Sequence, residues 1–332
     1  MNSEESRIGV IGSGSWATAL VKILTDNGNR IIWWIRNPEK ALFIRTNHHN
    51  PDYLSSVEIH TENVDPTCNI QYALDNCTTI VLAVPSAYIH QALAGATLPV
   101  NRIYISAIKG IEPHSEQVMA GYLNQQHGIP MENIGIVTGP CHAEEVAAEK
   151  LSFLTVSANN NEVAQSFANK LQTRYIQTRC NNDLIGSEYA AVMKNIYAIG
   201  AGIAHGLGYG DNYLALYVSA AIREMDEFLN ALSPDHRDVK EAAYLGDLLV
   251  TCYSQFSRNR TFGTMLGKGY SVRSAQLEMN MVAEGYFAAK LIHNKCLEHA
   301  INAPIATAIY RIIYEGAIAA KQFKDLNQDH LG

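Results

Sequence analysis

Hydrophobic and polar positions follow two different patterns along this chain of 332 residues. In the first half, short apolar runs rich in β-branched residues alternate with stretches of helical periodicity, which predicts βαβ units and a mostly parallel sheet. The predicted helices are Trp16–Asn27, Ser115–Gln126 and Glu162–Leu171. The predicted strands are Arg7–Ile11, Arg30–Ile35, Thr79–Val84, Arg102–Ala107, Ile134–Thr138, Ser152–Ser157 and Tyr175–Thr178.

The pattern changes after about Asp183. From Leu184 to Phe323 only helical periodicity is found. No linker rich in Pro, Gly or Ser separates the two halves, so the change of pattern itself sets the boundary. We therefore predict an α/β fold, with a parallel-sheet domain over residues 1–182 and an all-helical domain over residues 183–332.

Composition narrows the classes of function. Apolar residues make up 47% and charged residues 17% of the chain, which is typical of a globular protein. The formal net charge of -7 argues against broad nucleic-acid binding, and no clean apolar stretch reaches the ~20 residues of a membrane span. The acidic first residues do not resemble a signal peptide, and no two of the six cysteines form a C-x-x-C pair. These features predict a soluble cytoplasmic protein that neither binds a metal nor inserts into a membrane.

A glycine-rich turn joins the first predicted strand to the first predicted helix. Gly12 and Gly14 permit a tight turn and a close approach of a pyrophosphate to the backbone. The helix that follows offers free N–H groups and a partial positive charge. Ala17 takes the third position of the pattern, where a small residue lets helix and strand pack. In this βαβ context the turn predicts a dinucleotide site.

The residue that follows the second predicted strand bears on the choice of dinucleotide. Proteins that bind NAD tend to place Asp or Glu there, which holds the ribose hydroxyls. This chain has Arg36 instead, a cation that can pair with a 2′-phosphate. We therefore expect NADPH as the preferred cofactor and NADH as the alternative. The competing interpretation of Arg36 is an ordinary surface arginine.

Polar and small residues follow further strand ends. Lys109 comes just after the strand Arg102–Ala107, at the edge where a parallel sheet binds its ligand. Gly139 follows another strand, and Cys141 and Ala143 stand at the start of the helix that comes next. Cys141 is either a thiol activated by the helix N-terminus or a small polar residue that lines the site.

The helical half contains two polar clusters. Lys194 has alanines at the neighbouring positions of its helix face, so its ammonium is expected to be partly desolvated unless the side chain reaches solvent along its stem. Asp247 lies in an apolar stretch and needs a cation, which either Lys194 or a helix N-terminus supplies. Ser257, Arg258 and Asn259 combine a hydroxyl, a guanidinium and an amide, which suits a phosphate or a carboxylate.

Taken together, these segments resemble the bacterial-type NAD(P)-dependent glycerol-3-phosphate dehydrogenases, from about Ile8 to Tyr314. Eight motifs carry the resemblance, in the order in which that family has them. They are Gly-x-Gly-Ser-Trp from Gly12, Lys-Gly-Ile-Glu from Lys109, Gly-Pro-x-x-Ala-x-Glu from Gly139, Lys-Asn from Lys194, Gly-Tyr-Gly-Asp-Asn from Gly208, Leu-Gly-Asp-Leu from Leu245, Ser-Arg-Asn-Arg from Ser257 and Glu-Gly from Glu284.

The resemblance implies a Rossmann-like dinucleotide-binding domain followed by a helical substrate-binding domain. The reaction it implies is the reversible reduction of dihydroxyacetone phosphate to sn-glycerol 3-phosphate by NADPH or NADH, for glycerophospholipid synthesis. Lys194 would be the general acid and base, with Lys109 and Asp247 beside it in the catalytic group. The further substrate-site residues that it implies are Gly139, Cys141, Ser257, Arg258 and Asn259. The cofactor contacts that it implies, besides the glycine turn and Lys109, are Ser15, Trp16, Arg36, Ala143, Arg258, Val282 and Glu284.

Three positions depart from the pattern of the family. Cys141 stands where Ser or Thr is usual, Tyr244 where Gly or another small residue is usual, and Ala17 replaces the third glycine. Two other functions stay open, namely a hydroxy-acid or sugar-acid dehydrogenase of the same architecture and a non-catalytic protein that senses NADPH. A homodimer is expected because twofold dimers are the commonest oligomers.

Overall fold

The structure is a computed structural model that describes residues 6–279 and 283–329. The chain forms two compact units. The first unit comprises the residues up to Ile108 together with Gln117–Leu184, and the second comprises Lys109–Glu116 together with the residues from Ile185 onward. The division therefore differs from a single cut after residue 182, because Lys109–Glu116 groups with the helical unit.

One eight-stranded sheet forms the centre of the first unit. Its strands are β1 (Arg7–Ile11), β2 (Arg30–Trp34), β3 (Val64–Thr67), β4 (Thr79–Leu82), β5 (Ile103–Ser106), β6 (Ile134–Thr138), β7 (Ser152–Ala158) and β8 (Ile176–Asn181). Their order across the sheet is 3-2-1-4-5-6-7-8, and every neighbouring pair is parallel except β6 and β7. The predicted α/β class is confirmed, and the chain order reverses between β1 and β4, where such sheets bind ligands.

Strand β3 is absent from the sequence-based prediction. It pairs only with β2 at the edge of the sheet, and it contains Asp65 and Pro66. Proline donates no hydrogen bond, so it is confined to positions such as an edge strand. The alternation Val64, Asp65, Pro66, Thr67 is also too short and too polar to register as an apolar run.

The described part of the first unit contains seven α-helices. They are α1 (Ser15–Asp26), α2 (Pro38–Asn47), α3 (Ile70–Asp75), α4 (Ile89–Leu93), α5 (Met119–His127), α6 (Ala143–Ala147) and α7 (Asn161–Leu171). Helix α5 begins four residues later than the predicted start at Ser115. The reason is local, because the backbone N–H and the hydroxyl of Ser115 both donate to the carboxylate of Glu112, at 2.7 and 2.8 Å.

The core of the first unit joins the sheet to α1 and α7. Val10 of β1 and Trp33 of β2 are fully buried in it, together with Leu20 of α1 and Phe167 of α7. Strand β1 is buried from its second residue onward, and the chain leaves it for α1 through the glycine-rich turn.

The remaining elements are helices, as predicted. They are α8 (Leu184–Gly206), α9 (Asp211–Leu232), α10 (Asp247–Tyr253), α11 (Arg258–Gly267), α12 (Val272–Glu278), α13 (Glu284–Glu298), α14 (Pro304–Tyr314) and α15 (Ala319–Asp329). A π-helical turn, Ala242–Gly246, leads directly into α10. None of the described helices is long and apolar enough to cross a membrane.

Four glycines let α8 and α11 approach closely: Gly202 and Gly206 on α8, and Gly263 and Gly267 on α11. A Cβ added to Gly263 would overlap the carbonyl oxygen of Ile199 and lie 2.8 Å from its carbonyl carbon. We call these four residues the glycine crossing. It holds the two helices nearly backbone to backbone, which no larger side chain would permit.

A buried carboxylate, Glu224 of α9, holds the start of α14. Its Oε2 accepts from the N–H of Ile305 at 2.6 Å, and its Oε1 accepts from the N–H of Ala306 at 3.0 Å and from the hydroxyl of Tyr197 at 3.1 Å. The two N–H groups belong to the first helical turn, where no intrahelical acceptor is available. Burial raises the pKa of Glu224 to about 7, against the three donors that lower it.

Candidate active site

The two glycines of the turn in the first unit have different surroundings. Gly12 has φ +127, and a Cβ there would lie 2.7 Å from the carbonyl carbon of Ala83 at the end of β4. Gly14 is the N-cap of α1, and a Cβ there would meet no atom within 4 Å. The first glycine therefore permits close packing of the turn against β4, and the second leaves open space in front of the helix N-terminus.

Hydrogen bonds hold this turn to the elements on both sides of it. The N–H of Gly12 donates to the carbonyl of Trp34 at 3.2 Å, and the indole Nε1 of Trp33 donates to the carbonyl of Gly12 at 2.6 Å. On the helical side, the N–H and the hydroxyl of Thr18 both donate to the carbonyl of Gly14, at 2.9 and 3.0 Å. The N–H groups of the first turn of α1 begin at Ser15, and such groups attract anions.

The remaining candidates on α1 and β2 differ in exposure. Ser15 is buried as the first residue of α1, and Trp16 is half-buried beside it. Arg36 is exposed just after β2, next to Asn37, whose side chain caps α2 by accepting from two backbone N–H groups. An exposed guanidinium at this strand end is available to an incoming phosphate and is also compatible with a surface role.

The turn after β6 holds Gly139, Cys141 and Ala143. Gly139 has φ +121, and a Cβ there would lie 2.5 Å from the carbonyl oxygen of Phe153. Cys141 is buried, and its Sγ donates to that same carbonyl at 3.2 Å. Ala143 is the buried first residue of α6. A thiol that is buried and donates its hydrogen to a carbonyl is not activated, which argues against the first of the two interpretations of Cys141.

The second unit brings the three predicted catalytic side chains together. Lys194, in the middle of α8, is only 4% exposed and forms an ion pair with Asp247, the first residue of α10, which is 1% exposed. The Nζ of Lys109 lies 3.6 Å from the other oxygen of the same carboxylate. Of the two partners considered for Asp247, Lys194 forms the ion pair, and Lys109 is a second cation beside the same carboxylate. Asp247 also stands at a helix N-terminus, that of α10.

A hydroxyl completes the surroundings of Lys194. The Nζ of Lys194 donates to Thr251 Oγ1 at 3.2 Å, and that hydroxyl donates to the backbone carbonyl of Asp247 at 2.6 Å. Because its only hydrogen is committed, Thr251 accepts from Lys194. Sequence reasoning missed Thr251, although its position four residues after Asp247 on one helix was a usable signal.

Burial lowers the pKa of the Lys194 ammonium to about 7. The negative charge of Asp247 acts in the opposite direction, and the positive charge of Lys109 adds to the lowering. Two ammonium groups thus share one buried carboxylate, which leaves Lys194 able to hold or release a proton near neutral pH.

A chain of amide hydrogen bonds ties four segments of the second unit together. Asn195 Nδ2 donates to the carbonyl of Lys109 at 2.8 Å, and Asn259 Nδ2 donates to Asn195 Oδ1 at 3.0 Å. Asn259 Oδ1 in turn accepts from the N–H of Gly285 at 2.9 Å. Asn259 was a predicted substrate-site residue, whereas the structure also gives it a positioning role between α8, α11 and α13.

The remaining candidates of the second unit lie at helix starts. Ser257 is the buried N-cap of α11, and its hydroxyl accepts from the N–H of Arg260 at 3.3 Å. Arg258 is the half-buried first residue of α11, and Glu284 is the half-buried first residue of α13. Val282 lies outside the described residues.

The segment Lys109–Glu116 is fixed from within by Glu112. Its buried carboxylate accepts from the N–H groups of His114 and Ser115 and from both of their side chains. Burial raises the pKa of Glu112, but these four donors outweigh it and leave the pKa below its usual value. An ionised Glu112 therefore holds the loop that presents Lys109.

Two further features bear on the chemistry available. In the described parts of the chain, no group of three His, Cys, Asp or Glu side chains could hold a metal ion. Tyr244, one of the unusual positions, is buried inside the π-helical turn that precedes Asp247. π-helical turns are frequent at functional sites.

Comparison with known proteins gives a consistent result over both units. Residues 7–164 match the family model described as NAD-dependent glycerol-3-phosphate dehydrogenase N-terminus, and residues 183–324 match the model of the C-terminus of the same family. Proteins named glycerol-3-phosphate dehydrogenase (NAD(P)+) from Pseudomonas aeruginosa and Lacticaseibacillus paracasei are 32% and 33% identical. The matches cover 96% and 97% of this chain, and 93% and 94% of the relatives. The crystal structure of glycerol-3-phosphate dehydrogenase from Coxiella burnetii superposes with a TM-score of 0.90 at 26% identity, over 98% of this chain and 99% of that one.

Proposed function

We propose a function from one premise: the chain belongs to the NAD-dependent glycerol-3-phosphate dehydrogenase family, and it is an NAD(P)-dependent oxidoreductase. The proposed reaction is the reversible reduction of dihydroxyacetone phosphate to sn-glycerol 3-phosphate. The observation that carries this proposal is Lys194, a buried ammonium whose pKa lies at about 7 and which is held by Asp247 and Thr251.

Lys194 is the proposed general acid. A reduced nicotinamide, when bound, supplies the hydride that the C2 carbonyl carbon receives. As that carbon is reduced, negative charge develops on the carbonyl oxygen, and Lys194 stabilises the charge and gives its proton to the oxygen. The product is the secondary alcohol, and Lys194 is left neutral. In the reverse direction, neutral Lys194 takes the hydroxyl proton. General acid–base catalysis of this kind contributes ~10²–10⁴-fold in rate.

Asp247 and Lys109 set the charge around this proton transfer. Asp247 compensates the ammonium of Lys194 and so keeps it from losing its proton too early. Lys109, 3.6 Å from the same carboxylate, is 19% exposed and is the proposed contact of substrate and cofactor.

The phosphate of the substrate is the proposed ligand of the start of α11. Arg258 offers a planar guanidinium, Ser257 a hydroxyl, and Asn259 an amide that is already fixed by its own hydrogen bonds. Gly139 and Cys141 are proposed as further residues of the substrate site, as the family motif implies.

The first unit fits a nicotinamide dinucleotide. Open space in front of Gly14 and the N–H groups at the start of α1 suit a pyrophosphate, with Gly12, Ser15 and Trp16 around it. Arg36 is proposed to hold the 2′-phosphate of NADPH, which makes NADPH the preferred cofactor and NADH the alternative. The other proposed cofactor contacts are Lys109, Ala143, Arg258, Val282 and Glu284.

The test begins with the purified protein, dihydroxyacetone phosphate and either NADPH or NADH, with the absorbance of the reduced nicotinamide as the signal. We expect oxidation that depends on the phosphorylated ketone and is faster with NADPH at low concentration. Lys194→Ala should lose at least ~10²-fold in kcat while it still binds NADPH. Lys268→Ala, a change at an exposed lysine of the same unit, is the matched control and should leave kcat unchanged. Equal turnover of Lys194→Ala and the wild type would refute the role of Lys194.

The cofactor preference has its own test. Arg36→Asp should raise the KM for NADPH far more than the KM for NADH, because only NADPH carries the 2′-phosphate. Equal small effects on both would assign Arg36 to the surface.

The proposal further includes a homodimer in the cytoplasm that supplies the glycerol backbone of phospholipids. Sedimentation analysis tests the dimer, and loss of phospholipid synthesis in cells without the protein tests the role.

A further inference from the structure

Trp33 is an aromatic residue whose indole is aimed at the glycine turn. It is fully buried in β2, and its Nε1 donates to the carbonyl of Gly12 at 2.6 Å. The next residue, Trp34, accepts at its backbone carbonyl from the N–H of Gly12 at 3.2 Å. Both polar groups of Gly12 are therefore bonded to β2, one through a backbone and one through a side chain.

The bond from the indole decides which way the peptide between Gly12 and Ser13 faces. In a planar trans peptide, the C=O of one residue and the N–H of the next point in opposite directions. Because the carbonyl of Gly12 points into the core toward Trp33, the N–H of Ser13 points away from it. This N–H precedes the N-terminus of α1, so it adds one more donor to the set that starts at Ser15.

Glycine makes such a constraint necessary. At φ +127, Gly12 has a conformation that other residues rarely adopt, and glycine itself can leave it at little cost. A turn that can flip its peptide would present a carbonyl oxygen, which repels a phosphate, for part of the time. Apparent affinity falls in proportion to the fraction of molecules in the competent state.

We propose that Trp33 is a positioning residue for the cofactor, whose indole N–H holds the Gly12 peptide in the orientation that binds phosphate. The proposal rests on the proposed function, since it takes the glycine turn as the site of the nicotinamide dinucleotide. It assigns to Trp33 a role beyond packing, because a purely apolar side chain could fill the core but would place no donor at this carbonyl.

The chain provides a matched control in the adjacent residue. Trp34 is 7% exposed, and its Nε1 also donates to a backbone carbonyl, that of Cys68 at 3.2 Å. Trp34→Phe therefore removes the same kind of hydrogen bond from the same strand, but at a carbonyl outside the glycine turn. Comparison of the two variants separates the orientation of the turn from general loosening of β2.

The experiment measures the Kd of NADPH and of NADH by calorimetry for the wild type, Trp33→Phe and Trp34→Phe, with Tm recorded for each. We expect Trp33→Phe to weaken both cofactors ~5–30-fold, the effect of one lost hydrogen bond to a buried carbonyl. Trp34→Phe should change Kd less than about 2-fold, although its Tm should fall by about as much as the Tm of Trp33→Phe. At saturating cofactor, kcat of Trp33→Phe should equal that of the wild type.

A second variant removes the donor without a change of size. Benzothienylalanine at position 33 has sulfur in place of the indole N–H, so it keeps the shape of the ring and tests the bond even if phenylalanine leaves a cavity that impairs folding. It should weaken cofactor binding as Trp33→Phe does. Wild-type Kd in either variant at position 33, or equal weakening in Trp33→Phe and Trp34→Phe, would overturn the inference. Absence of cofactor binding in the wild type would instead refute the proposed function on which it rests.

Discussion

Gly263→Ala tests the glycine crossing at its tightest point. The added Cβ would lie 2.8 Å from the carbonyl carbon of Ile199, whereas ordinary contacts of this kind begin at 3.4 Å. The helices α8 and α11 must therefore separate by at least about 0.6 Å, the difference between those two distances, and by more to clear the carbonyl oxygen. Overpacking of this kind costs about 1–3 kcal/mol of stability.

The displacement also reaches the amide chain of the candidate site. Asn259 lies one helical turn before Gly263, and Asn195 lies one turn before Ile199. Their hydrogen bond of 3.0 Å would lengthen beyond the usual range of such bonds, and Asn195 is adjacent to Lys194 in sequence. We therefore expect Gly263→Ala to lower both Tm and kcat.

Gly121→Ala in α5 is the control, because the nearest atom to a Cβ there is the side-chain oxygen of Gln117, at an ordinary contact distance of 3.4 Å. Alanine is the better helix former by up to about 1 kcal/mol, so this variant should be neutral or more stable than the wild type. The assay is thermal unfolding followed by circular dichroism, together with steady-state turnover. A Tm of Gly263→Ala at or above that of the wild type would refute the close crossing, and an equal loss in both variants would attribute the effect to glycine replacement in general.

Three further predictions concern buried charges. Since Lys194 has a pKa of about 7, kcat for ketone reduction should fall as pH rises through about 7. Over the same pH range, kcat for alcohol oxidation should rise. Parallel pH profiles in the two directions would contradict the role of Lys194. Asp247→Asn removes the charge that raises the pKa of Lys194, so the pH profile of ketone reduction should move to lower pH. The rate of reduction at pH 7.5 should then fall at least about tenfold. A pH profile that does not move would contradict this reasoning. Because the folded-state pKa of Glu224 is raised from 4.5 to about 7, its contribution to stability is present below pH 4.5 and is lost as pH rises through about 7. Glu224→Gln should therefore flatten the dependence of Tm on pH between about 4.5 and 7, and the same slope as in the wild type would assign that dependence to other groups.

The fold was predictable where burial is complete. Strands β1 and β6 have the predicted bounds because both are continuous apolar runs buried along nearly their whole length. Strand β3 was not predictable because its stability comes from pairing with β2, a tertiary contact that leaves no apolar run in the sequence. The predicted start of α5 at Ser115 was wrong for a similar reason, since Ser115 bonds to Glu112 and lies outside the helix.

In the candidate site, too, some contacts could be predicted from the sequence and others could not. An isolated lysine and an isolated aspartate in apolar stretches each require a partner, so the pairing of Lys194 with Asp247 could be anticipated. The second cation at that carboxylate and the hydroxyl of Thr251 could not, because each depends on the exact packing of separate segments. Lys109 and Gly285 lie at the two ends of the chain of amide hydrogen bonds, and they too are brought together only by the folded structure.

The short segment that contains Lys109 has a consequence for the synthesis and dissection of this protein. Because Lys109–Glu116 groups with the helical unit while the chain on either side of it belongs to the sheet unit, neither unit is a continuous stretch of chain. During translation, Lys109–Glu116 therefore leaves the ribosome well before α8 and α10. It can pack against these helices only after they have been synthesised. A protein cut or expressed at residue 183 would give a helical fragment without Lys109 and without the carbonyl that Asn195 binds. Recovery of activity from two such fragments would require the N-terminal piece to supply this loop in trans.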